Sequence, residues 1–235
     1  MTTSGSTSFS VTRDQIITDA LVELGVLFDG EVPTSSMVDS ANRKLNMMIK
    51  NWMSRDVGLW LNTFVTLPLV VGQQSYTIGP LGDLAIPKPL DIIEARFKSP
   101  NSDELDMFPI SRTDYTSLVI KNSQGTPTQY YYDSQRDTGV LYIWQTAALS
   151  GSNIKMTVKT PVQDFVTATD TPDFPQEWYE PLMWNLAAKL MPGYKVQPNV
   201  AQLVLGYAKD SFEAAEDFDR EHTSVQFVPD MRGRR

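Results

Sequence analysis

VDSANRKLNMMIKNW, residues 38–52, and FVTLPLVVGQQSYTI, residues 64–78, lie close together in the chain, and the change of period between them decides the fold. In the first stretch Val38, Ala41, Leu45, Met48, Ile49 and Trp52 recur every three or four positions, with Asn42, Lys44, Asn46 and Lys50 between them. That spacing lays one apolar stripe along a helix. In the second stretch helical spacing is absent. A strand-like run from Phe64 to Val71 meets Gly72 and Gln73, which suit a turn, and resumes from Ser75 to Ile78. The expectation is a helix ending near residues 56–58, then two strands paired with each other.

Towards the N-terminus, Thr12 with Gln15 three positions later forms a capping-box pattern, and Ile16, Ile17, Ala20, Leu21 and Leu24 follow at helical spacing up to Gly25. The short connector through Gly30 and Pro33 predicts that this helix packs against the next as an antiparallel hairpin. The polar residues before Thr12 read as a loose arm. Towards the C-terminus, runs at 91–98, 129–133, 140–144 and 153–160 predict further strands, and Ser111 with Asp114 predicts a short capped helix to about Ile120. Helical spacing returns at Trp178, Leu182, Leu186 and Leu190 and is expected to stop at Pro192-Gly193; Pro181 either starts or kinks that helix. Pro198 opens a last helix, in which Val204, Tyr207, Ser211, Ala215 and Phe218 mark one face. The fold class is α+β: two terminal helix pairs join in a four-helix core from which an antiparallel β-domain is extruded. The expected divisions are an arm and helical hairpin over 1–59, the β-domain over 60–172, the closing helices over 173–220 and an extended tail over 221–235.

With 235 residues, 41% of them hydrophobic, the chain can fill a core. The greasiest run, Phe64 to Val71, is broken by Pro68 and far too short to span a bilayer, so no membrane partner is expected. The N-terminus lacks the basic start and apolar stretch of a secretory signal, which predicts synthesis in a cytosol. The absence of cysteine and a single histidine, His222, take away most metal and acid–base chemistry, and no cofactor is expected. A net charge of −8 argues against tight nucleic-acid binding, which draws most of its free energy from Lys and Arg on phosphates.

The ordered words of the helical part are Ile17-xx-Ala20-Leu21-xx-Leu24-Gly25, Ala41-xxx-Leu45-xx-Met48-xxx-Trp52, Gly58-Leu59-Trp60, Phe174-Pro175-Gln176-Glu177-Trp178, Asn185-Leu186-Ala187-Ala188 and Met191-Pro192-x-Tyr194, with Ala208 in the last helix. In this order they resemble the head-completion, or head-to-tail adaptor, proteins of tailed phages, especially short-tailed ones. Gln73-Gln74-Ser75-Tyr76, Gly125-Thr126-Pro127-Thr128 and Tyr131-Tyr132-Asp133 resemble the β insertion of longer members. The resemblance implies a structural protein and not an enzyme. It implies a dodecameric homo-oligomeric ring in the virion neck, docked beneath the portal protein, with DNA passing through without specific binding and a landing surface for the tail or nozzle protein.

Against that expectation the remaining side chains fall into place. Asp164, Asp170 and Asp173 could form a glycosidase-like carboxylate pair, but a loop before a helix is where Asp caps and complements a dipole. Trp52, Trp60, Trp178 and Trp184 read as core, not as stacking platforms, and Tyr130, Tyr131 and Tyr132 must place rings on both faces of a strand. Glu213, Glu216 and Asp217, with Asp219 and Glu221, are either a solvated helix face or, in a ring, a channel lining that keeps DNA sliding. In the tail, Phe227, Val228 and Pro229 followed by Arg232, Arg234 and Arg235 suit a peptide that orders in a groove of the portal. The rival readings are a carbohydrate- or receptor-binding tail protein using the β-domain aromatics, and a cellular helical scaffold.

Overall fold

The computed structural model describes residues 3–28, 30–55, 58–101 and 104–219. In chain order the elements are α1 (Arg13–Glu23), α2 (Ser35–Met53), β1 (Asn62–Pro68), β2 (Ser75–Gly79), β3 (Leu84–Ala85), β4 (Asp91–Lys98), β5 (Glu104–Pro109), α3 (Arg112–Ser117), β6 (Gln124–Gly125), β7 (Gln129–Ser134), β8 (Gly139–Trp144), β9 (Thr146–Ala147), β10 (Asn153–Lys159), α4 (Tyr179–Tyr194) and α5 (Pro198–Phe218). The class is mixed α+β. Two compact units share the chain: one holds residues up to Leu45 and from Gln176 onward, the other holds Asn46–Pro175, and the division falls inside α2.

In the helical unit the capping box is formed: Gln15 N–H donates to Thr12 Oγ1 at 3.4 Å and Thr12 N–H donates to Gln15 Oε1 at 2.8 Å. Two backbone donors that the helix cannot satisfy are thereby paired. α1 buries Ile16, Ile17, Ala20 and Leu21 and ends where Gly25 takes φ +67°. Its close neighbour is α4, which also packs along α5. α1 puts its stripe against α4. Pro181 is the third residue of α4, where its missing N–H costs nothing, so it lies in the first turn and does not kink the helix. The helix also continues through Pro192 to Tyr194, two residues beyond the expected stop, and ends at Lys195 in the left-handed conformation, φ 52°. Trp178 is fully buried, edge-on to Phe212 at 5.6 Å, and Asn185 Nδ2 donates to the Ala208 carbonyl at 3.0 Å, tying α4 to α5. The buried stripe of α5 is Val204, Ala208 and Ala215 with Phe212 partly covered. Tyr207 and Phe218, expected on that face, are 50% and 68% exposed, because the stripe follows steps of four from Val204 where the sequence reading took a step of three to Tyr207.

The β unit is built on one eight-stranded sheet, ordered β1-β10-β4-β5-β7-β8-β2-β3, beside a small parallel pair, β6-β9. β1 pairs with β10, and β2 pairs with β8 and β3. The expected β1–β2 hairpin is therefore absent. The segment between them folds away: the Tyr76 hydroxyl bonds the Val70 backbone, and Gly72 N–H donates to Ala147 O at 3.1 Å. Most pairings are antiparallel, but β5 joins β7 in parallel through only Phe108↔Gln129 and Pro109↔Tyr130. That short seam links two halves of the sheet. Leu67, Phe97, Ile154 and Met156 from one half share a single buried cluster with Tyr76, Ile78, Leu141 and Ile143 from the other. The sheet, close to a barrel in form, is curled around this one cluster. Gly139 permits the close approach of Tyr132, since a Cβ there would lie 2.2 Å from its hydroxyl oxygen.

Candidate interaction surfaces

The C-terminal half of α5 carries the three acidic residues expected to line a channel. The buried stripe points the opposite side of the helix outward, so Glu213 and Asp217 are exposed, whereas Glu216 is partly covered. Glu213 lies 3.8 Å from Lys209 one turn earlier, a surface pair of small energetic weight. Asp210 adds a further exposed carboxylate on the same helix. Phe227, Val228, Pro229, Arg232, Arg234 and Arg235 lie outside the described residues, as does His222.

The loop carboxylates are brought into structural use. Asp164 pairs with Lys50 at 2.6 Å, Asp173 accepts the Gln163 N–H at 3.3 Å, and Asp170 accepts the N–H groups of Val166 and Thr167 at 2.7 Å each. Lys50 also donates to Val162 O at 3.2 Å, while Asn46 and Phe165 exchange a reciprocal pair of bonds at 3.0 Å. These contacts fasten the segment after β10 to the second half of α2, where Phe174 packs against Trp52 and Trp60. Trp184 reaches Tyr207 at 4.8 Å between ring centroids.

Two features of the sheet lay hidden in the sequence because they arise only from register. On the outer face of β4, β5 and β10, Arg96 meets Asp106 at 3.2 Å and Glu104 sits between Lys155 and Lys98. The hydrogen bond from Lys155, aided by the surrounding cations, holds the Glu104 carboxyl below the usual carboxylate range. On the outer face of β7 and β8, Tyr131 and Tyr142 stack at 5.8 Å, and Tyr115 of α3 covers them at 6.1 and 5.1 Å. The alternation expected of Tyr130, Tyr131 and Tyr132 is realised as Tyr130 in the core, Tyr131 in this stack, and Tyr132 donating to Pro89 O at 2.8 Å. Burial, with the charge of Asp91, pushes the Tyr132 phenol up to about 12. The rings of this face are thus engaged with one another. β1 forms one outer edge of the sheet, and its Phe64 side chain is 85% exposed.

Among the described residues no cluster of three or more His, Asp or Glu side chains could hold a metal ion, and no helix is long and apolar enough to cross a membrane. Compared with known proteins, residues 11–228 match the sequence profile of a family described as SU10 adaptor protein. No curated protein matches the chain.

Proposed function

The chain belongs to the SU10 adaptor protein family, a phage head-tail adaptor family, and from that premise we propose that it is a structural ring subunit of the virion neck, seated below the portal protein. The observation that carries the reading is the span of the match, which takes in both the helical unit and the β unit. In this role it performs no reaction. It prolongs the DNA channel, helps retain packaged DNA and gives the tail or nozzle protein a surface to land on. The ring number implied by the family resemblance is twelve.

The four-helix core belongs to the same proposal. The packing of α4 along α1 and α5, together with the burial of Ala41 and Leu45 on α2, supports one helical body that carries the β-domain. The acidic side of α5, with Glu213, Glu216 and Asp217, is assigned to the channel wall, where repeated negative charge repels a duplex and releases no counterions on contact. The tail is assigned to the portal: Phe227, Val228 and Pro229 fill a groove, and Arg232, Arg234 and Arg235 meet carboxylates. Ordering such a peptide lowers the affinity of each copy, and a ring compensates by holding all copies at high effective concentration.

Deletion of residues 222–235 tests this assignment by co-sedimentation with portal-bearing heads. The expected product is a folded monomer that no longer stays on the portal, leaving heads that package DNA and leak it. Salt should weaken attachment of the full chain only in part, because the arginine contribution is screened and the Phe227 contribution is not. Retention of the truncated chain at the level of the full one would move the docking surface to the helical body.

A further inference from the structure

Among the described residues the outer edge of β1 pairs with no strand, which leaves a row of backbone hydrogen-bonding groups open. Thr160 N–H donates to Leu61 O and Leu69 N–H donates to Ser152 O, both at 2.9 Å, which fixes the phase of the β1–β10 ladder. With the register Asn62↔Lys159 to Pro68↔Asn153, the N–H and C=O groups of Thr63, Val65 and Leu67 face β10. Those of Asn62, Phe64 and Thr66 face away, and none of them bonds another described residue. Protein sheets normally blunt such an edge with lysine, proline, a bulge or brevity. β3, the opposite edge, is only two residues long. β1 has seven residues and no charge, its one proline is the last residue, and its Phe64 ring stands 85% exposed. An edge of this kind is built to be covered.

The same chain carries a segment with the complementary deficiency. Residues 3–10 are exposed and make no backbone–backbone hydrogen bond among the described residues. Among the described residues they are tied to the helical unit by Gln176 Nε2 donating to Thr7 O at 3.0 Å and by Phe9 against Tyr179 at 6.1 Å. Their sequence alternates with period two: serine at 4, 6, 8 and 10, and Thr3, Thr7, Phe9 and Val11 on the odd positions, with Gly5 between. Alternation of polar residues with β-formers is the pattern of a strand with two unlike faces. At about 3.3 Å per residue, nine residues reach roughly 30 Å, longer than the open edge.

We propose that the arm of one copy, residues 3–11, adds as an extra strand to the open β1 edge of the neighbouring copy, placing its Thr/Phe/Val row on the face that carries Phe64. This inference rests on the ring reading above. Donor arm and acceptor edge are different surfaces, so every copy gives one strand and receives one. Such a head-to-tail contact closes into a ring when its rotation allows, which a β1–β1 pairing with two-fold symmetry does not. Phe9, held against Tyr179 in the single chain, exchanges that contact for Phe64.

The chain has no cysteine, so an engineered thiol is the only one it carries. Ser6→Cys in one batch of full chain and Thr66→Cys in another are mixed, bound to portal-bearing heads and treated with a short bis-maleimide, which tolerates a shift of register. The expected result is covalent dimers at least tenfold above either variant alone, and a ladder of larger species when both substitutions share a chain. Leu81→Cys, fully exposed elsewhere in the β unit, replaces Thr66→Cys as the accessibility control and should not link to the arm. A ring on the heads without arm-to-edge links, with links confined to single chains, or with equal linkage to Leu81→Cys overturns strand exchange and leaves the ring reading intact. Failure of the chain to form any ring on the heads overturns both.

Discussion

The helical unit and the β unit are stabilised by interactions of different range. In the helical unit the boundary of α1 is decided three residues away, by Thr12 and Gln15, and the left-handed turn at Gly25 ends it. In the β unit the partner of β1 is β10, with Phe64 opposite Thr157, and the nearest strand in sequence lies in the other half of the sheet. Local chemistry specifies where an element begins and ends, whereas partner choice follows from a shared core that no short window contains.

Matched truncations give the largest test of that contrast. Leu186→Ala in α4 and Ile154→Ala in β10 both remove fully buried side chains, and each should cost about 2–5 kcal/mol in denaturant unfolding. Trp52→Ala belongs to the same class, since Trp52 packs on Phe174 in the β unit. Wild-type stability in any of the three would show an interface where we place a core. Next in size is the cap: Thr12→Ala should cost about 0.5–2 kcal/mol and raise amide exchange in the first turn of α1, leaving β10 protected. Uniform loss of protection through both units would erase the distinction between local and non-local control.

Tyr132 sharpens the comparison through pH. Its phenol titrates near 12 when folded and near the ordinary value of about 10 when unfolded. The folded state thus binds the proton more tightly. Its stabilising effect is whole below pH 10 and is lost as pH rises towards 12. Tyr132→Phe should flatten that part of the stability profile and, by removing the bond to Pro89 O, cost about 0.5–1.5 kcal/mol at neutral pH. An unchanged alkaline slope would exclude Tyr132 as its source. The smallest expected effect is at Lys209→Ala, within about 0.5 kcal/mol of wild type, because its pair with Glu213 is exposed.

Much of this architecture can be read without coordinates, and the exceptions have physical causes. The β4 run at 91–98 is legible at both ends because Ile92 and Phe97 stand among β-formers, and both capping boxes announce their helices. β5 escapes notice since Glu104, Asp106 and Pro109 are poor strand formers, and Met107 is its only fully buried residue. The β1–β2 hairpin fails as an expectation because Gly72 and Gln73 permit a turn without requiring the strands beside it to pair. The expected stripe of α5 includes Tyr207 and misses Ala208 because Ala208, small enough to disappear from a hydrophobic pattern, is the residue that packs. Of the candidate surfaces, the acidic residues of α5 were readable as a periodic row, whereas the tyrosine stack and the open β1 edge exist only through pairing.

Imaging the full chain mixed with purified portal-bearing heads shows whether a ring of this adaptor sits beneath the portal. Extra ring-shaped density below the portal is expected, present only when the protein is added, while the protein alone sediments as a monomer. Heads that remain bare at saturating protein would contradict the ring reading.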